Sequence, residues 1–133
     1  MKFVEWCDLF VIGNKTIDDQ HQVLLEIANT FHNEAKKGFN RKVTNDTMNQ
    51  LIDYAQKHFF TEETITGKLD LPIELLDNHN EIHEKLIMDI YKIHEDLSSG
   101  KINSMYDIEK FLTDWLILHI LIEDKKYKEY LHR

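Results

Sequence analysis

The stretch from Pro72 to Ser98, PIELLDNHNEIHEKLIMDIYKIHEDLS, decides the fold of this 133-residue chain. Its apolar residues recur every three or four positions, which is the period of an amphipathic helix. Pro72 suits the first turn of a helix, and the Ser-Ser-Gly run at the far end breaks the chain. The stripe holds two histidines, His79 and His83, together with Leu75, Ile82, Leu86, Ile90, Ile93 and Leu97. The stretch therefore predicts one long helix with two imidazoles on its inward face.

Three further segments show the same period. They run from about 18 to 37, from about 42 to 66 and from about 104 to 131, and the connections between them are short. Such helices predict an all-α fold, an antiparallel up-down-up-down four-helix bundle. We expect a single domain over residues 1–133, in which residues 1–17 form an N-terminal arm that packs on the bundle of residues 18–131.

The composition argues against several classes of partner. The formal net charge of −8 disfavours nucleic acids and anionic membranes, because both bind basic surfaces. No apolar run approaches the roughly 20 residues that span a bilayer, and the N-terminus does not resemble a signal peptide. The single cysteine, Cys7, forms no internal disulfide and is expected to be a small packing residue. We therefore expect a cytoplasmic protein, and the sequence identifies no protein partner.

Five histidines and one glutamate lie on the inward stripes of the four predicted helices. They are His21, His58, Glu62, His79, His83 and His119. Residues four apart, such as His58 and Glu62, project from one face of a helix. An antiparallel bundle also brings the starts of the first and third helices level with the ends of the second and fourth. Because imidazole and carboxylate bind divalent first-row metals, the pattern predicts a metal centre inside the bundle.

The fourth helix offers two carboxylates beyond His119, those of Glu123 and Asp124. An ideal α-helix turns about 100° per residue, which places Glu123 near the face of His119 and Asp124 about 140° away from it. Spacing alone therefore favours Glu123 as the ligand.

The number of imidazoles favours iron over zinc, because a structural zinc takes four ligands and usually includes thiolates. Five histidines, two bridging carboxylates and one bridging oxo or hydroxo group would fill all but one position on two six-coordinate irons. One open position beside a bridging oxygen suits end-on binding of a small diatomic molecule. Ferritin-like di-iron proteins use mostly carboxylates. An imidazole-rich centre is therefore expected to favour reversible two-electron chemistry over substrate oxidation.

Four motifs resemble those of the hemerythrins, specifically the single-domain bacterial hemerythrins or bacteriohemerythrins. They are IDDQH ending at His21, HFFTEE from His58, HNEIH from His79 and WLILHILIED from Trp115, and the resemblance covers essentially the whole chain. It implies a four-helix bundle that holds two non-haem iron ions (Fe2+/Fe3+) with a bridging oxo or hydroxo group. The implied activity is reversible binding of O2.

The resemblance also implies a role for each metal ligand. The ligands of the coordinatively full iron would be His79, His83 and His119. Those of the iron with the open position would be His21 and His58, and the bridging carboxylates would be Glu62 and Asp124. The family motif thus selects Asp124 over Glu123, and a locally widened turn of the π-bulge kind would bring Asp124 inward.

The expected function is reversible O2 binding for oxygen storage, delivery or sensing, without catalysis and without catalytic residues. Two alternatives stay open on the same centre: an enzyme that reduces peroxide or nitric oxide, and an iron-storage or iron-donor protein. Candidates to line an apolar pocket over the open iron are Leu25, Phe59, Phe111 and Trp115, for which core packing is an equal explanation.

Three other residues have more than one interpretation. Asp18 would either cap the first helix or hydrogen-bond a ligand histidine. His32 and His94 share a level further along the bundle, but they lack the carboxylates that a second metal site would need.

Overall fold

The computed structural model describes residues 3–38, 41–101 and 104–132, and these contain a 3-10 turn in the arm (Asp8–Phe10), four longer helical segments and no β-strand. The α-helices are α1 (Lys15–Lys36), α2 (Arg41–Thr66), α3 (Ile73–Ser98) and α4 (Met105–Leu112). Beyond α4 the chain continues through two π-helical turns, Thr113–Ile117 and His119–Glu123, and a 3-10 helix, Asp124–His132. We call residues 105–132 the fourth helical segment. The all-α up-down-up-down bundle expected from the sequence is confirmed.

No helix in the described ranges is long and apolar enough to cross a membrane.

The first helix begins earlier than expected, and its cap is not Asp18. Asn14 caps α1, since its side chain accepts a hydrogen bond from the Ile17 N–H at 3.1 Å. The Asp18 carboxylate instead accepts hydrogen bonds from the N–H groups of Ile12 and Gly13, at 2.9 and 3.1 Å. Gly13 has a φ of 100°, which favours glycine at this turn. Both roles considered for Asp18 were therefore wrong: it anchors the arm to α1.

The N-terminal arm packs on the bundle, as expected. The side chain of Asn29 accepts a hydrogen bond from the Val4 N–H at 2.9 Å and donates one to the Val4 carbonyl at 2.7 Å. The ring of Phe3 stacks on that of His32, with centroids 4.6 Å apart. Cys7, however, is exposed, so the packing role expected for it was wrong.

Two apolar clusters lie along the bundle and define where the centre sits. The larger one includes Leu24 of α1, Phe59 of α2 and Ile120 of the fourth helical segment. The smaller one, the end cluster, contains Ile12, Ile17 and Tyr127, with Ile65, Leu71, Tyr130 and Leu131 packed against it. In each of these helices the predicted ligands fall between residues of the two clusters. The predicted centre is therefore enclosed by apolar side chains on both sides.

Asn29→Ala is expected to destabilise the fold by roughly 1–3 kcal/mol, because it leaves both backbone groups of Val4 without their partner. Urea unfolding followed by circular dichroism would measure the change. Asn33→Ala is the matched control, since Asn33 is exposed one turn further along α1. Equal losses in the two variants would contradict the anchoring role of Asn29.

Candidate metal centre

Seven buried side chains from the four helical segments meet between the main core and the end cluster. They are His21 of α1, His58 and Glu62 of α2, His79 and His83 of α3, and His119 and Asp124 of the fourth helical segment. Each has less than a tenth of its surface exposed. The structure thus brings together the six residues that the sequence pattern singled out and Asp124, which the resemblance implied as the seventh ligand.

Glu62 divides the histidines into two groups. Its Oε2 lies 2.6 Å from the Nε2 of His58 and 3.4 Å from that of His21. Its Oε1 lies 2.7 Å from the Nε2 of His79 and 3.4 Å from that of His83. One carboxylate therefore faces both groups, with a different oxygen toward each.

Asp124 makes the same division from the opposite helix. Its Oδ2 lies 3.0 Å from the Nε2 of His21. Its Oδ1 lies 3.0 Å from the Nε2 of His119 and 3.6 Å from that of His79. The carboxylates thus separate a two-histidine half, His21 and His58, from a three-histidine half, His79, His83 and His119.

Two sets of four potential ligands overlap at this point. One consists of His21, His58, Glu62 and Asp124, and the other of His83, His119, Glu62 and Asp124. Within each set the donor atoms all lie within 4.8 Å of one another. Because both carboxylates belong to both sets, the geometry suits two neighbouring cations with two carboxylate bridges.

Most of the donor atoms at the centre lack hydrogen-bond partners among the described residues, whereas the Nε2 of His79 and the Oε1 of Glu62 pair with each other at 2.7 Å. The atoms without partners are the Nε2 atoms of His21, His58, His83 and His119, the Oε2 of Glu62 and both carboxylate oxygens of Asp124. Buried polar atoms without partners are rare in native proteins. Lone pairs that converge in this way fit bound cations, and imidazole nitrogen with carboxylate oxygen suits first-row metals.

Without metal, the two carboxylates favour protonation of His21 and His119. Burial lowers the pKa of His21, but contacts with Asp124 and Glu62 outweigh burial and raise that pKa from 6.5 to about 9. Burial likewise opposes a charge on His119, whose pKa Asp124 nevertheless raises. Burial lowers the pKa of His58. Below about pH 9, a metal that binds His21 must therefore displace a proton from it.

A π-helical turn decides which carboxylate of the fourth helical segment reaches the centre. The backbone N–H of Asp124 bonds to the carbonyl of His119, five residues earlier, so Asp124 follows His119 by one widened turn. Asp124 is fully buried, whereas Glu123 is partly exposed and its carboxylate accepts a hydrogen bond from Lys126 at 2.9 Å. Ideal helical spacing had favoured Glu123 as the ligand. That expectation was wrong, because Asp124 is the side chain that faces inward.

Two site histidines are held by neighbours that the sequence reasoning missed. The Nδ1 of His58 lies 2.8 Å from the Oε1 of Gln20, and the Nδ1 of His83 lies 3.2 Å from the Oε1 of Glu63. Each Nδ1 thus donates its proton outward, which leaves the Nε2 lone pair free to face the centre. The available signal was adjacency, because Gln20 precedes His21 and Glu63 follows Glu62.

Tyr127 lies between the centre and the end cluster. The sequence reasoning also missed this residue. Its ring meets that of His79 edge-on, with centroids 4.9 Å apart. Burial, with added contributions from Asp124 and Glu62, raises the pKa of Tyr127 well above its usual value. The Tyr127 hydroxyl group is therefore neutral. The sequence signal for a role of Tyr127 at the centre was its position one turn beyond Asp124.

A small, mostly apolar cavity adjoins the two-histidine half. Of the four residues expected to line a pocket, Phe59 and Trp115 do so, together with Leu24, Leu116, Ile120, His21, His58, His119 and Asp124. Leu25 is instead buried in the main core, and Phe111 stacks on Trp115 with centroids 5.7 Å apart, beside an open surface groove. The Nε1–H of Trp115 donates to the Leu86 carbonyl at 2.8 Å, which fixes the indole in place.

His32 and His94 do not form a second cluster of metal ligands in the described residues. The Nε2 of His32 pairs with Glu109 of α4 at 2.8 Å. His32 therefore links α1 to α4 beneath Phe3 of the arm.

The chain is similar to known proteins along most of its length. Residues 12–131 match a family model described as the hemerythrin HHE cation binding domain. A bacteriohemerythrin from Methylococcus capsulatus is 32% identical over 110 residues, which cover 83% of this chain and 82% of that protein. A hemerythrin-like protein from Naegleria gruberi is 27% identical over 124 residues, which cover 92% of this chain and 89% of that protein. A solved structure of wild-type hemerythrin has a TM-score of 0.79 and 28% identity, covering 98% of both chains.

Proposed function

This chain belongs to the hemerythrin family, and from that membership we propose that it binds O2 reversibly at a centre of two non-haem iron ions. The observation that carries the proposal is the division of the histidines by Glu62 and Asp124. Each carboxylate directs one oxygen to the two-histidine half and the other to the three-histidine half. This arrangement supports one iron in each half and a carboxylate bridge from both residues.

The unequal number of histidines supports an open position in the two-histidine half. His79, His83 and His119 would hold one iron, and His21 and His58 would hold the other. Both His21 and His58 line the adjoining cavity, whereas His119 alone does so from the three-histidine half. With both irons bound, such a centre would supply two electrons to O2 reversibly.

The cavity residues would protect this chemistry. Phe59, Trp115, Leu116 and Ile120 are all buried and offer O2 an apolar surface. Such a lining would exclude water from the centre. Storage, delivery and sensing would each use this same equilibrium, and we propose binding of O2 rather than catalysis.

Visible spectra of the anaerobically iron-loaded protein test the proposal. We expect two irons per chain and a charge-transfer band that appears when O2 is added and disappears when O2 is removed. The protein loaded with zinc is the control and should show no band, because zinc has no accessible redox chemistry. A band that stays after O2 is removed would contradict reversible binding and would favour an enzyme that reduces peroxide or nitric oxide.

A further inference from the structure

The two halves of the centre differ in the group that accepts a hydrogen bond from a ligand histidine. In the two-histidine half, His58 donates through its Nδ1–H to the neutral amide of Gln20, at 2.8 Å. In the three-histidine half, His83 donates through its Nδ1–H to the carboxylate of Glu63, at 3.2 Å. His58 thus donates to a neutral acceptor in the two-histidine half, and His83 donates to a carboxylate acceptor in the three-histidine half.

The orientation of the Gln20 amide is fixed by a second contact. Its Nε2 lies 3.3 Å from the hydroxyl oxygen of Thr61, which itself donates to the Lys57 carbonyl at 3.0 Å. The Thr61 oxygen therefore accepts from Gln20, and the amide oxygen of Gln20 must face His58. This amide oxygen accepts one hydrogen bond from His58 and carries no charge.

Glu63 stands in a different environment from Glu62, its neighbour in the chain. Its side chain is 38% exposed, and it lines an open groove on the α2–α3 face together with His83 and Phe59. The ring of Phe59 stacks on that of His83, with centroids 4.1 Å apart and an angle of 14° between planes. The stacking holds the His83 ring so that Nδ1 faces Glu63 while Nε2 faces the centre.

A carboxylate acceptor makes a metal-bound imidazole a stronger electron donor than an amide acceptor does, because it draws the Nδ1 proton further from the ring. A stronger donor stabilises ferric relative to ferrous iron. We propose that the unlike acceptors Gln20 and Glu63 make the two irons electronically unequal, with Glu63 favouring the ferric state in the three-histidine half. Both are positioning residues that act through a ligand histidine, and the inference rests on the proposed di-iron function.

Midpoint potentials of the iron-loaded protein test the inference directly. They are measured without O2, with an electrode supplying one electron for each Fe3+ reduced to Fe2+. Glu63→Gln removes the charge and keeps an acceptor, and we expect it to weaken the preference for ferric over ferrous iron about 10-fold. For a one-electron couple, that change raises the potential by about 59 mV. Gln20→Glu is expected to lower the potential of the iron in the two-histidine half. The double variant should reverse the contribution of the two acceptors to the difference in potential between the irons.

Glu84→Gln is the matched control for charge alone. Glu84 is exposed in the same groove, and within the described ranges it accepts no hydrogen bond from a site histidine. We expect the midpoint potentials of the Glu84→Gln variant to stay close to those of the wild type. Equal shifts in Glu63→Gln and Glu84→Gln, or no shift in either, would overturn the inference.

A second readout needs neither iron nor O2. In the zinc-loaded protein with 15N-labelled histidine, we expect the Nδ1 proton of His83 to resonate downfield of that of His58, and Glu63→Gln to remove the difference. A chain that binds zinc but fails to hold two irons would contradict the proposed function. A chain that holds two irons but shows no change in potential or resonance in Glu63→Gln would contradict this inference alone.

Discussion

Asp124→Ala is expected to lose both iron ions, whereas Glu123→Ala is expected to retain two per chain. Asp124 is fully buried and offers one oxygen to each half of the centre, so its removal deletes a ligand from both metals. Loss of an outer partner of a ligand already weakens metal binding about 10- to 100-fold, and loss of a shared ligand should weaken it more. Glu123 faces outward toward Lys126 and has no such role.

The measurement is the iron content per chain after gel filtration, with affinities from competition against a chelator. Circular dichroism of both metal-free variants must show a folded bundle, because Asp124 also pairs with His21 and His119. If Asp124→Ala fails to fold, Asp124→Asn retains the volume of the side chain while removing its charge. Loss of iron from Glu123→Ala with retention in the Asp124 variants would show that the π-helical turn has been assigned to the wrong carboxylate.

The choice between these two residues shows where reasoning from an ideal helix fails. Such reasoning assumes a rotation of about 100° per residue along the whole helix, and this rotation would place Asp124 on a different face from His119. The π-helical turn His119–Glu123 widens the spacing by one residue and turns Asp124 inward. Only the motif of the family indicated this, because a strained turn has no signature in hydrophobic periodicity. The helices and their inward stripes could be predicted because burial of an apolar stripe dominates the choice of fold.

The residues that support the ligands were harder to predict than the ligands themselves. Gln20 and Glu63 lie beside the inward stripe, where a polar side chain is usually explained by exposure to solvent. Their roles depend on which neighbouring helix their side chains reach, and this is set by packing between helices. The pocket was partly missed for the same reason. Leu24 and Leu25 are both buried on α1, and only the packing of the four helices decides that Leu24 lines the cavity.

The stability of the metal-free protein is expected to fall between pH 6.5 and pH 9. The pKa of His21 is raised to about 9 in the folded chain, against 6.5 for an ordinary histidine. A raised pKa means that the folded state binds the proton more tightly. The stabilisation is therefore complete below pH 6.5 and is lost as the pH rises through about 9. The difference corresponds to about 3 kcal/mol, since one pKa unit is worth about 1.4 kcal/mol.

His58 and Glu62 act outside this window, whereas His119 acts within it. The pKa of His58 is lowered by burial, so its effect on stability appears as the pH falls below 6.5. The pKa of Glu62 is held well below its usual value, so its contribution is lost only in acid. His119, whose pKa is also raised, adds to the loss of stability above pH 6.5. The fall in stability at alkaline pH therefore reports His21 and His119.

Urea unfolding of the metal-free protein at intervals from pH 6 to pH 9.5 would measure this dependence. His21→Gln should flatten the curve, whereas His94→Gln, at a histidine away from the centre, should keep it. The iron-loaded protein should lack the decline, because metal bound to Nε2 takes the place of the proton on His21. Binding of metal at pH 7 should accordingly release a proton from His21, which calorimetry in buffers of different ionisation enthalpy would detect. A metal-free protein with constant stability across this range would show that Asp124 and Glu62 do not hold a proton on His21, and binding would then proceed without that release.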